Sequence, residues 1–118
     1  MKTKEIVLTW FRKWEQGDFI NLPLSTGFEH TSPFGTIRGK ATYIDLVEKN
    51  RDKFLGQSFL LHDSFFGDEK ACVRYTATQG EDYNLEVSEW YYFKEELIDK
   101  VIAYYHIGGI REERKLRQ

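Results

Sequence analysis

Residues 58–106, SFLLHDSFFGDEKACVRYTATQGEDYNLEVSEWYYFKEELIDKVIAYYH, hold four runs rich in aromatic and β-branched residues: Ser58–Phe66, Lys70–Thr78, Leu85–Phe93 and Leu97–His106. Gly67-Asp68, Gly80-Glu81-Asp82 and Lys94-Glu95-Glu96 separate them. Short runs of this composition, cut by turn residues, predict strands paired as successive antiparallel hairpins. Upstream the period changes. Ile6, Val7, Trp10, Phe11 and Trp14 recur at helical spacing between Lys4 and Gln16, with Thr3 as the expected N-cap and Gly17 as the stop. Asp18 is placed to cap a short helical piece limited by Pro23 and Gly27, and Phe28–Ser32 reads as a brief strand. Ser32-Pro33-Phe34-Gly35 reads as a turn. A second amphipathic helix is expected over Lys40–Phe54, with Tyr43, Ile44, Leu46, Val47 and Phe54 on its apolar side. Helices first and a meander second means α+β, with the helices on one face of the sheet.

The chain has 118 residues, of which 41% are hydrophobic and 16% aromatic. One domain over residues 1–110 is expected, followed by a charged, solvated tail at 111–118. Seventeen Lys and Arg against nineteen Asp and Glu leave a net charge of −2 and no basic face for nucleic acid. No apolar run is long enough to span a membrane, and the first residues lack the pattern of a signal peptide. Cys72 is the only cysteine, which excludes an internal disulfide. A cytoplasmic protein without a cofactor is expected. The three histidines do not reproduce a metal-ligand spacing, so no metal site is expected. Ser32 lacks a nucleophile-elbow context, and no glycine-rich phosphate loop is present, Gly108-Gly109 being isolated.

This order of elements, with Trp14…Gly17-Asp18-Phe19 after the first helix, FEHTSPFGTIRGKATYIDLV (28–47) and the closing LIDKVIAYYH (97–106), resembles the nuclear transport factor 2-like superfamily, in its SnoaL-like and steroid delta-isomerase-like branch. The resemblance covers nearly the whole chain through loose motifs. It implies a cystatin-like cone, a curved antiparallel sheet wrapped around the N-terminal helices, with a deep pocket and frequent dimerisation through the outer sheet face. Members range from isomerases, cyclases and hydrolases to non-catalytic binders, so the fold alone assigns no reaction.

Strand parity allows the pocket face to be sketched. A hairpin centred near Gly80–Asp82 sets Arg74 opposite Glu89, Thr76 opposite Val87 and Cys72 opposite Tyr91, and the preceding hairpin sets His62 beside Arg74. The expected cluster is therefore His62, Arg74 and Glu89, with Tyr91 and Tyr105 nearby and His30 and Ser32 sharing the cavity. The same parity assigns Val73, Tyr75, Trp90, Tyr92, Ile102 and Tyr104 to the outer face, a broad apolar patch best covered by a second copy of the chain. His106 is expected to face outward and Cys72 to be a small buried hydrophobe.

The likeness to steroid isomerases implies three roles for specific positions. Ser32 stands where those enzymes carry the aspartate base, Trp10 stands where they carry an oxyanion-donating tyrosine, and Glu89 matches their second donor. Two of the three roles are vacated, so steroid isomerisation is not expected. Epoxide hydrolases of the superfamily use an arginine between two acids. Arg74 and Glu89 match the arginine and one acid, while Thr76 stands where the second is expected. His30 is then the candidate base, since an imidazole accepts a proton near neutral pH. Glu89, if buried, stays protonated and donates. Trp10 and Trp14 are core residues first and pocket walls second.

Each residue also has a plainer role. Arg74 and Glu89 make sense as a cross-strand ion pair, and His30 and His62 as core-edge histidines with one satisfied hydrogen bond. Three functions stay open on these residues: a cofactor-independent isomerase, cyclase or hydrolase using His30 and Glu89, a non-catalytic binder of a small apolar molecule, and a dimeric protein-interaction module.

Overall fold

Residues 2–106 are described by a computed structural model. Helix α1 (Thr3–Gln16) buries Val7, Trp10, Phe11 and Trp14, one stripe at the expected spacing. Gly17 ends it in the left-handed conformation at φ 73°, with Asp18 N–H reaching the Lys13 carbonyl at 2.9 Å. Thr3 is not the cap. It is the first helical residue, and its hydroxyl donates to the Gly67 carbonyl at 2.8 Å, tying α1 to a distant turn. A 3₁₀ turn (Phe19–Asn21) follows, and the Asp18 carboxylate binds Lys13 and Asn21 instead of capping it.

The remaining elements are β1 (Leu24–Ser32), β2 (Gly35–Arg38), α2 (Lys40–Lys49), α3 (Arg51–Phe54), β3 (Gln57–Phe66), β4 (Lys70–Gln79), β5 (Tyr83–Lys94) and β6 (Leu97–Tyr104). Three features depart from expectation. β1 starts four residues earlier than expected and turns through Pro33-Phe34 into the short, largely exposed β2. The expected single helix over 40–54 breaks at Asn50, a fully buried residue whose side chain donates back to the Leu46 carbonyl at 2.8 Å. The sheet, in the order β2-β1-β6-β5-β4-β3, is curved and mixed, because β1 and β6 run parallel while every other neighbouring pair is antiparallel. Parallel neighbours need a long crossover, and everything between β1 and β6 supplies it. The tail 111–118 and Gly108-Gly109 lie outside the described residues.

The register of β4 against β5 also differs by one residue. Gln79 pairs with Tyr83 across the three-residue loop Gly80–Asp82, so Arg74 faces Ser88, Val73 faces Glu89 and Tyr75 faces Val87. A slip of one residue exchanges the faces of a strand. Ala71, Val73, Tyr75 and Ala77 therefore enter the core, while Cys72, Arg74 and Thr76 belong to the outer face. Cys72 is accordingly half-buried rather than a core residue. The faces expected for β5 and β6 hold: Val87, Glu89, Tyr91, Val101 and Ala103 are inside, and Trp90 and Tyr104 are exposed. His106 is exposed, as expected.

Candidate functional site

Between α1, α2 and the concave side of the sheet lies a cavity of about 420 Å³. Trp10, Phe11 and Trp14 wall it from α1, Tyr43 and Val47 from α2, and Phe59, Tyr75, Ala77, Leu85 and Val87 from the sheet. His30, Ser32, Glu89 and Tyr105 add polar groups to this apolar wall. Volume and lining match those of drug-sized ligand sites.

Glu89 is the most constrained of these groups. The residue is 4% exposed, on β5 in the sheet's interior. Its Oε1 accepts from the Tyr91 hydroxyl at 2.5 Å and from the Trp10 indole N–H at 3.3 Å, while Oε2 accepts from the Tyr75 hydroxyl at 2.9 Å. Burial raises the carboxyl above its ordinary range, and the three donors oppose that rise only in part. No Lys or Arg lines the cavity among the described residues. A carboxyl offers about four acceptor sites when ionised, and three are taken here. In the neutral form those three contacts persist, and the fourth position becomes an O–H.

His30 follows the opposite course. Its ring stacks on Tyr43, with centroids 5.1 Å apart and planes 24° apart, and it lies 6.5 Å from the ring of Phe28. Burial lowers its pKa to about 4. The residue as a whole is half-buried, with its ring set against Tyr43 and Phe28. Burial holds Tyr43 and Tyr75 well above the ordinary tyrosine range, and the Glu89 charge adds to it. Burial also raises Tyr105, against a hydrogen bond from Ser32. Burial therefore disfavours the charged form of each of these groups.

The sheet register sets the spacing of base and acid. His30 and Tyr91 both pair with Val101, and Glu89 pairs with Ala103 in the next inward row. Two strand spacings and one two-residue step put the His30 and Glu89 backbones about 12 Å apart on a flat sheet.

Of the residues expected in the pocket, Trp10, Trp14, His30, Ser32, Glu89 and Tyr105 share the wall. Tyr91 lies behind it, fully buried, with its hydroxyl on Glu89. His62 and Arg74 do not reach it. Arg74 binds Asp63 at 2.8 Å on the outer face and approaches Glu86 at 3.9 Å, so its expected pairing with Glu89 does not form. His62 occupies a bulge in β3, and its Nε2 meets the Thr76 hydroxyl at 2.7 Å on the same outer side. Among the described residues no group of three His, Cys, Asp or Glu side chains could hold a metal ion. No described helix is long and apolar enough to cross a membrane.

No protein-family model matches the chain, and no curated protein matches it in sequence. Solved structures do. An NTF2-like protein of unknown function from Cytophaga hutchinsonii superposes with a TM-score of 0.76 at 18% identity, covering 90% of this chain and 91% of that one. A candidate ketosteroid isomerase from Kribbella flavida gives 0.74 at 16% identity, over 88% of this chain and 77% of that one. A candidate polyketide cyclase from Xanthomonas campestris gives 0.72 at 16% identity, over 90% and 91%. The chain has the NTF2-like fold.

Within that NTF2-like frame, sequence reasoning missed two groups of the site. Tyr43 was visible as part of the apolar stripe of α2, but a tyrosine on a buried stripe reads as core until its neighbours are known. Tyr75, a donor to Glu89, was assigned outward by the register slip. The alternation Ala71, Val73, Tyr75, Ala77 against Cys72, Arg74, Thr76, Thr78 was the signal that could have placed it.

Proposed function

We propose that this protein binds a small apolar molecule in the cavity and transfers a proton on it, with His30 as acceptor and Glu89 as donor, as a cofactor-independent isomerase or cyclase would. The observation that carries the reading is the pairing of opposite perturbations in one cavity: the imidazole is held low and the carboxyl high. Burial thus works toward an uncharged base and an uncharged acid in one cavity, and groups driven apart in this way are the usual signature of assigned acid and base roles. His30 removes a proton next to a carbonyl or similar acceptor. Glu89 donates to the oxygen on which charge develops, and Tyr75, Tyr91 and Trp10 hold the carboxyl in place. Trp10, Trp14 and Phe59 exclude water and carry the apolar body. The neighbours described as candidate isomerase and cyclase share the fold in which such a cavity is built.

A general assay needs no natural substrate. In D2O the protein should accelerate deuterium uptake next to the carbonyl of 2-tetralone over buffer, read by NMR. His30→Ala and Glu89→Gln should each lower the rate by about 10²-fold, the scale of a general acid or base. Unchanged exchange in both variants would rule out the catalytic role and leave a binding protein.

A second copy of the chain is the proposed partner. Ile102, Trp90, Cys72 and Phe65 fall in one row across the outer face, since Trp90 pairs with both Ile102 and Cys72 and Cys72 pairs with Phe65. Phe65 is 64% exposed, Leu60 63% and Tyr104 58%. Sedimentation at micromolar concentration should show a dimer that Trp90→Ala weakens. A wild-type monomer would refute it.

A further inference from the structure

The cavity has a second polar end, far from Glu89. Gln57 and Gln79 are partners across β3 and β4, and strand alternation puts both on the inner face with Phe59 and Ala77. Gln57 borders the cavity. The Gln79 Nε2 group donates to the Leu55 carbonyl, which fixes the orientation of that amide and leaves its Oε1 buried without a partner among the described residues. A buried, unpaired carbonyl oxygen destabilises a fold and calls for a donor. Gln57, the cross-strand partner of Gln79, carries an amide able to supply one. Turning the Gln57 NH2 toward Gln79 Oε1 satisfies that oxygen and presents the Gln57 carbonyl oxygen to the cavity.

We propose that Gln57, backed by Gln79, is a second polar subsite, and that the ligand is an elongated, uncharged apolar molecule with a polar group at each end. The distal group carries a hydrogen-bond donor, such as a hydroxyl. Val73, the partner of Glu89, stands six strand residues from Gln79, about 20 Å of extended backbone. The curvature of the sheet shortens that separation, and the apolar body of the ligand spans what remains. Apart from Glu89 and the neutral His30, the wall among the described residues holds no Asp, Glu, Lys, Arg or second histidine, so nothing there compensates a charge on the ligand. This inference rests on the cavity being a ligand site and names the class of ligand it takes.

The test uses the full chain and three probes. N-phenyl-1-naphthylamine, an uncharged dye, reports cavity occupancy, and 1-decanol and 1,10-decanediol compete for it. In Gln57→Leu the diol should lose about tenfold in affinity, or about 1.4 kcal/mol, while decanol changes less than twofold. Gln57→Met should repeat the result, with thermal melts confirming that both variants fold. Equal changes for the two alcohols, or none for either, overturn the subsite while leaving the cavity as a ligand site. Failure of the dye to bind, or of both alcohols to displace it from the wild type, overturns the ligand-site reading and the subsite with it.

Discussion

His30 offers the sharpest physical test, because its state shows in two independent measurements. Its pKa falls from 6.5 to about 4 in the folded protein, so below pH 6.5 the unfolded chain binds a proton that the native state refuses. The stabilisation tied to a neutral His30 is complete above pH 6.5 and is lost progressively as pH falls toward 4. At about 1.4 kcal/mol per pH unit, the full window corresponds to about 3 kcal/mol for a dry cavity, and about 2 kcal/mol is gone by pH 5. The perturbation is His30→Gln, and the assay is urea denaturation at half-unit steps from pH 4.5 to 7.5. The stability difference between variant and wild type should shift by that amount, in favour of the variant at low pH. The chain has only three histidines, so NMR titration of their ring protons gives the second reading directly. The resonance lost in His30→Gln should stay flat until about pH 5. A midpoint near 6.5 for that resonance, with a pH-independent stability difference, would refute the account of a dry, desolvated imidazole.

Glu89 carries the opposite sign. Its folded value is raised, so its contribution is fully present below the unfolded value of 4.5 and is lost as pH rises through the folded value. Glu89→Leu should therefore gain stability relative to wild type as pH increases from 4.5, and a flat difference would contradict this. Arg74→Ala should leave cavity binding of an uncharged dye unchanged, whereas Trp10→Ala should weaken it by about tenfold, or about 1.4 kcal/mol. Equal losses would restore Arg74 to the pocket face. At the β5–β6 turn Glu95 and Glu96 both have positive φ, at 51° and 63°, in a two-residue loop that favours Asn-Gly. The double substitution Glu95→Asn with Glu96→Gly should raise stability by about 1–2 kcal/mol in chemical denaturation, and an unchanged midpoint would contradict the strain argument.

Element types were legible because each rests on local chemistry. The stripe Val7, Trp10, Phe11, Trp14 and the stop at Gly17 name α1, and the aromatic runs name β3 to β6. Inward parity on β5 and β6 followed from placing Glu89 and Tyr91 on one face. The parity of β4 was lost because its pairing was set one residue off the turn: the loop Gly80–Asp82 is centred on Glu81, which places Arg74 opposite Ser88 and not Glu89. The apolar alternation of β4 itself carried the correct answer. β2 was hidden for a different reason: Gly35-Thr36-Ile37-Arg38 is short and mostly exposed, so burial leaves almost no pattern in it. The parallel contact of β1 with β6 and the donors around Glu89 arise only when distant segments meet. Trp10 and Glu89 lie 79 residues apart, and no spacing rule connects them.

The chain has three tryptophans, two of them on the cavity wall and the third, Trp90, on the outer face. In Trp90→Phe, every remaining indole therefore borders the cavity. Titrating that variant with 2-tetralone while following tryptophan fluorescence tests the central claim most directly. A ligand-filled cavity predicts saturable quenching with one molecule bound per chain, weakened by Glu89→Leu. Fluorescence that stays unsaturated to the solubility limit, or quenching seen only when Trp90 is present, would contradict it.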